Sequence, residues 1–285
     1  MAEHVTIFEV GPRDGLQNEP VMIAADQKIA LVNQLSDCGF TKLEVTSFVS
    51  PKWVPQMADA AEVMAGITRA PGVAYAVLTP NMRGLEDALP THPDEIAIFS
   101  SASEGFSRSN INCSMEESLT RFKPVIDAAR AQGIPVRGYV SCVTDCPFDG
   151  PTPPANVAHM TRALLDMGCY EISLGDTIGA ATPETISAML DAVLDVAAPA
   201  QMAGHYHDTR GRALTNIEVS LERGLRVFDS SVGGLGGCPY APSATGNVST
   251  EAVVEMLEAR GVTTGIDLDR LARVAQFAQS LRSAA

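Results

Sequence analysis

His205-Tyr206-His207-Asp208 puts two imidazoles at positions i and i+2 of a short β-rich run. Alternate side chains of a strand leave the same face, so both rings point one way. Two neutral imidazoles side by side chelate a divalent cation once a carboxylate joins them, and Asp14 is the candidate. The competing reading is a pair of hydrogen-bonded core histidines. With five histidines in the whole chain and two of them so spaced, the metal is favoured. Asn247, in Ala244-Thr245-Gly246-Asn247, offers an amide oxygen that suits a hard cation.

Four further stretches carry reactive groups. In Glu9-Val10-Gly11-Pro12-Arg13-Asp14-Gly15 the glycines and proline force a turn that presents Arg13 and Asp14; an aspartate helix cap beside a surface arginine is the plainer alternative. Glu44 lies inside the apolar run Leu43–Thr46 and needs a partner, because an unpaired buried carboxylate is costly. Catalysis and pairing with an arginine satisfy that need equally. Asp176 ends another β-rich run, either as an acid at the site or as a loop cap. In Gly233-Gly234-Leu235-Gly236-Gly237-Cys238-Pro239-Tyr240 four glycines surround one thiol, which predicts a mobile lid that lets backbone approach a ligand closely. Trp53 either packs a loop or lines an adenine site.

The elements that must position these groups recur regularly. Strand-like runs fall at Val5–Val10, Leu43–Thr46, Val73–Leu78, Glu95–Ser100, Val136–Val140, Tyr170–Leu174, His205–His207 and Val227–Ser231. Helical periods separate many of them, at Ala25–Leu35, Gln56–Met64, Met115–Gln132, Asn156–Met167, Pro183–Val196 and Leu214–Arg223. Strands alternating with helices predict an α/β protein, a (β/α)8 TIM barrel with extra C-terminal helices, with a doubly wound open sheet as the alternative. Asn156 and Thr182-Pro183 read as helix starts, and Gly39, Gly133, Gly168 and Gly224 as helix ends. No linker divides the chain, so residues 1–285 are expected to form one catalytic domain with a helical extension over about 250–285. In a parallel barrel chemistry gathers at the C-terminal ends of the strands, and the reactive groups above fall at those ends.

Composition bounds the function. The chain has 285 residues and a net charge of −14, a field that repels nucleic-acid backbones and anionic lipid. An anionic substrate therefore requires a local basic cluster. Mean hydropathy is only +0.08 and no apolar run reaches the roughly 20 residues of a membrane span. Six scattered cysteines form no disulfide framework, and the first residues lack the basic start of a signal peptide, so a soluble cytoplasmic protein is expected.

Glu9–Glu19, Thr46–Met57, Gly138–Cys142, Gly168–Gly179 and Ser231–Tyr240 together resemble the 3-hydroxy-3-methylglutaryl-CoA (HMG-CoA) lyases, over almost the whole chain. The wider group of metallolyase barrels includes isopropylmalate and homocitrate synthases, and the Gly-Gly-Cys-Pro-Tyr stretch resembles the lyase branch. The resemblance implies divalent-metal-dependent cleavage of HMG-CoA to acetyl-CoA and acetoacetate, a reaction of leucine breakdown and ketone-body formation. It implies Mg2+ or Mn2+ held by Asp14, His205, His207 and Asn247, Cys238 as the catalytic thiol, and Arg13 facing the thioester carbonyl. Glu44 and Asp176 match supporting active-site acids, His205 joins the catalytic set, and a homodimer is implied. Lys52 is the candidate for meeting the negative charge of coenzyme A. Tyr206, Arg210 and Gly233 depart from the animal enzymes, and no cysteine-bearing tail is present, which favours a bacterial-type enzyme. The alternatives are a lyase for another 3-hydroxyacyl-CoA, such as isohexenylglutaryl-CoA or citramalyl-CoA, a condensing synthase using a 2-oxo acid, and a non-catalytic metal-binding barrel.

Overall fold

The computed structural model describes residues 3–236 and 246–282. Its centre is a closed barrel of eight parallel strands: β1 (Thr6–Glu9), β2 (Lys42–Ser47), β3 (Ala74–Leu78), β4 (Glu95–Ser101), β5 (Val136–Ser141), β6 (Glu171–Asp176), β7 (Met202–Tyr206) and β8 (Val227–Ser230). Each strand pairs with its sequence neighbour, and β8 returns to β1 with Thr6 opposite Val227. The barrel, not the open sheet, is the architecture.

Around the strands run α1 (Ala25–Ser36), α2 (Ala60–Gly66), α3 (Met82–Ala88), α4 (Glu104–Ile111), α5 (Met115–Ala131), α6 (Pro154–Met167), α7 (Pro183–Leu194) and α8 (Ala213–Glu222). The apolar stripe of these helices meets the outward side chains of the strands in one large buried cluster that includes Leu31, Val77, Ile98, Val140, Leu164, Leu190 and Ile217. Along β5, Val136 and Val140 join that outer core, whereas Arg137 and Tyr139 turn into the barrel, the period of two expected of a strand. The C-terminal extension forms α9 (Thr250–Ala259) and α10 (Leu268–Leu281). Leu271, Val274, Ala275, Ala278 and Leu281 form the buried stripe of α10, which packs outside the barrel on α1 and on the Val232–Gly234 turn.

Local signals held in most places. Thr182 caps α7 through the Thr185 amide with Pro183 in the first turn, and Gly39, Gly133, Gly168 and Gly224 all adopt positive φ. Three expectations are corrected. The helix read over Gln56–Met64 is a 3-10 turn, Pro55–Met57, followed by α2, because Gln56 is committed elsewhere: its Oε1 accepts from the Ile23 amide at 3.0 Å and its carbonyl accepts from the Lys28 ammonium. Asn156 is not a cap; α6 starts at Pro154 and the Asn156 Nδ2 donates to the Ala102 carbonyl at 3.2 Å. The seventh strand lies earlier than read, ending at Tyr206, and His207 instead forms an isolated antiparallel bridge with Asn247. Helices α3 and α4 went unread because 7 and 8 residues are too few to show a period; Asn81 and Ser103 cap them. Among the described residues no helix is long and apolar enough to cross a membrane.

Candidate active site

The turn after β1 is built by backbone requirements. Gly11–Gly15 make one π-helical turn in which the Asp14 and Gly15 amides both donate to the Val10 carbonyl, at 2.8 and 3.2 Å. Gly11 leaves room for the carboxyl that holds it: a Cβ there would lie 2.5 Å from Glu9 Oε1, the acceptor of the Gly11 amide at 2.8 Å, and would force that side chain to shift. Glu9 Oε1 also accepts from the Val232 amide at 2.9 Å, and Oε2 from the Thr250 hydroxyl at 2.6 Å. One buried carboxyl thus ties the Arg13–Asp14 turn to the root of the glycine-rich stretch and to α9. Burial outweighs these hydrogen bonds and pushes its pKa up to about 8.

Arg13 points into the mouth of the barrel. Its Nε donates to Glu44 Oε2 at 2.7 Å and its Nη1 to Asp14 Oδ1 at 2.6 Å. Glu44 Oε2 also accepts from Arg13 Nη2 and from the Tyr139 hydroxyl, the latter at 3.0 Å, so the partner that the sequence demanded for Glu44 is an arginine. Burial opposes the charge on Arg13, but Glu44 and Asp14 outweigh it and hold the guanidinium protonated. Burial lifts the Glu44 carboxyl above its ordinary range, and its Oε1 is buried without a hydrogen-bond partner.

Asp14 is not a helix cap. One ligand atom each from Asp14, His205 and His207 lie within 4.8 Å of one another. The two Nε2 atoms face each other at 3.3 Å, and His205 Nε2 is 3.9 Å from Asp14 Oδ2. Burial works against the Asp14 charge, yet Arg13 and the two imidazoles outweigh it and bring its pKa down to about 2. Burial and the neighbouring His205 push His207 down to about 4, leaving a neutral ring whose Nδ1 has no partner. Two imidazole nitrogens and a carboxylate oxygen in one nearly buried cluster form a donor set suited to a divalent cation, and their spacing is short enough for one ion to meet all three. Asn247 lies against this set, its Nδ2 donating to Asp14 Oδ2 at 2.8 Å.

Asp176 and Lys52 are placed less centrally. Asp176 accepts from the Ala180 and Ala181 amides at 3.1 and 3.0 Å, so it fixes the loop entering α7 and stands outside the donor cluster; burial pushes its pKa up to about 6. Lys52 is exposed and rests over the Trp53 ring, 5.3 Å from its centroid. Cys238 lies outside the described residues.

The sequence reading missed Glu9, Arg137 and Asp229. Asp229 sits in the apolar strand Val227-Phe228-Asp229-Ser230 as Glu44 does in β2, so the rule that singled out Glu44 applied to it as well. It accepts from Arg137 Nη1 and Nη2 at 3.1 and 2.7 Å and lies 3.1 Å from His205 Nδ1.

The family model described as HMGL-like matches residues 4–278. The chain is 54% identical over 277 residues to the mouse cytoplasmic 3-hydroxy-3-methylglutaryl-CoA lyase, covering 97% of this chain and 81% of that protein. The crystal structure of an HMG-CoA lyase from Brucella melitensis superimposes with a TM-score of 0.98 at 62% identity, covering 99% of this chain and 100% of the other. An HMG-CoA lyase from Acinetobacter baumannii, solved with coenzyme A and 3-methylmalate, matches with a TM-score of 0.93 at 38% identity over 98% of this chain and 92% of the other.

Proposed function

The chain belongs to the HMGL-like family, and from that premise we propose that it is a carbon–carbon lyase that cleaves HMG-CoA into acetyl-CoA and acetoacetate. The observation that carries this reading is the convergence of Asp14, His205 and His207 beside the buried Arg13 at the barrel mouth. Asp14, His205, His207 and Asn247 would hold Mg2+ or Mn2+, which supplies Lewis-acid polarisation of substrate oxygens.

The chain's own groups account for the rest. Cleavage begins with loss of the proton on the C3 hydroxyl, and Asp14 or a histidine of the cluster receives it. The bond between C2 and C3 then breaks, leaving the ketone of acetoacetate and placing the electron pair on the acetyl-CoA enolate. Arg13, held by Glu44, faces the thioester oxygen where that charge gathers. Cys238 delivers a proton from sulfur to the enolate carbon as the glycine-rich stretch covers the site. Asp176 fixes the α7 entry loop at the rim, and Lys52 meets the phosphates of coenzyme A. A single catalytic domain, a homodimer, residence in the cytoplasm and a place in leucine breakdown complete the proposal.

The test mixes purified protein with Mg2+ and HMG-CoA and assays acetoacetate, beside a chelated control and a longer-chain 3-hydroxyacyl-CoA. Metal-dependent acetoacetate from HMG-CoA supports both reaction and substrate. Cleavage of the longer analogue alone keeps the chemistry and moves the substrate; silence on both overturns the lyase reading.

A further inference from the structure

Beneath the donor cluster lies a polar chain that the proposed mechanism leaves unused. Asp229 on β8 stands in register with His205 on β7, and Arg137 on β5 stands in register with Glu171 on β6. Asp229 is 1% exposed and Arg137 is fully buried. The Asp229 carboxyl makes four contacts with three residues: Oδ1 accepts from Arg137 Nη2 at 2.7 Å, and Oδ2 faces Arg137 Nη1 at 3.1 Å, the Ser173 hydroxyl at 2.7 Å and His205 Nδ1 at 3.1 Å. Four contacts, one on Oδ1 and three on Oδ2, hold both oxygens and lock the plane of the carboxylate. The lock is firm on the far side too. Arg137 donates through Nε to Glu171 at 2.7 Å and lies between two aromatic rings, 4.3 Å from the Phe8 centroid and 5.0 Å from that of Tyr139.

Paired with a guanidinium, the carboxylate only accepts, so the hydrogen of the His205 contact must be on Nδ1. In the neutral ring that a cation requires, the other nitrogen then carries the lone pair, and it is the one that faces His207 and Asp14. We infer that Asp229 is a positioning residue for the cation centre: fixed by Arg137 and Ser173, it sets the tautomer and the ring orientation of His205. The inference rests on the metal-centre reading above. A carboxylate behind a ligating imidazole raises the basicity of the ligand as well as aiming it, and removing such a partner typically weakens metal binding about 10–100-fold.

The experiment uses the full chain and has two readouts. Long-range 1H–15N spectra of metal-free protein labelled at histidine should show His205 protonated at Nδ1; a ring with Nδ1 bare and the proton on Nε2 overturns the inference outright. Titration with Mn2+ should give Asp229→Asn an affinity about 10–100-fold below wild type, and Ser173→Ala, which removes one of the four contacts, a loss of about 2–10-fold. A folded Asp229→Asn that binds Mn2+ as tightly as wild type overturns the inference and leaves the metal centre standing. Wild type that binds no Mn2+ overturns the metal-centre reading and this one with it. Should Asp229→Asn fail to fold, the wild-type tautomer and the Ser173→Ala affinity decide.

Discussion

Arg13 and Arg137 are both buried, both bonded to two carboxylates, and both close to the Tyr139 ring, 5.3 and 5.0 Å from its centroid. Their surroundings divide them. Arg137 springs from the middle of β5, is fully buried, and gives its guanidinium to Glu171 on the neighbouring β6 and to Asp229 on β8, three strands round the barrel. Arg13 springs from the turn after β1, keeps 6% of its surface open at the mouth, and holds Asp14, whose other oxygen faces the imidazoles. The acids differ as well. Asp229 stays ionised because Arg137 and His205 outweigh its burial, whereas burial prevails at Glu44 and lifts it toward the neutral form. A buried arginine whose partners are saturated braces the fold; one that retains an open edge, beside an acid able to take a proton, is free to meet a ligand.

The largest expected effect tests the brace. Arg137→Met leaves Glu171 and Asp229 buried without their cation and should cost about 3–5 kcal/mol in chemical denaturation. Arg13→Gln should cost less stability, because Glu44 can take up a proton, while kcat/KM for HMG-CoA falls about 10²–10³-fold. Equal destabilisation by the two substitutions would erase the distinction between them.

A third test concerns what holds the mouth turn. The Glu9 pKa stands near 8 in the folded chain against an ordinary 4.5, so between those values the folded state binds the extra proton. Stability from Glu9 is therefore complete below about pH 4.5 and is lost as pH rises toward 8. The stability difference between wild type and Glu9→Gln should fall across that window by at most about 1.4 kcal/mol per pH unit. A flat difference would mean that Glu9 is already ionised in the fold. The smallest effect is at the rim: Lys52→Ala should raise KM by about 2–5-fold with kcat unchanged, the worth of one exposed charge, and the effect should shrink with added salt.

How far each region could be read in advance follows the same division. Asp14 and the histidines announce themselves because their spacing has a direct geometric meaning: i and i+2 share a strand face, and a Gly-Pro turn ends a strand. Arg137 in Val136-Arg137-Gly138-Tyr139-Val140 carries no such mark, since an arginine in a strand is usually solvated, and here its partners come from strands 34 and 92 residues away. The split of Gln56–Met64 has the same origin: Lys28 and Ile23, far back in the chain, claim Gln56.

Local chemistry and periodicity alone determined the alternation of strands and helices and the reactive groups that fall at the strand ends. Each of these depends on neighbours within one turn or one strand. Only the tertiary structure decided which charges would be partners: Glu44 with Arg13, Asp229 with Arg137 and His205, Glu9 with two amides and a hydroxyl. A buried charge is stable only beside its counterpart, and barrel closure brings the counterpart in from a strand that the local sequence does not name.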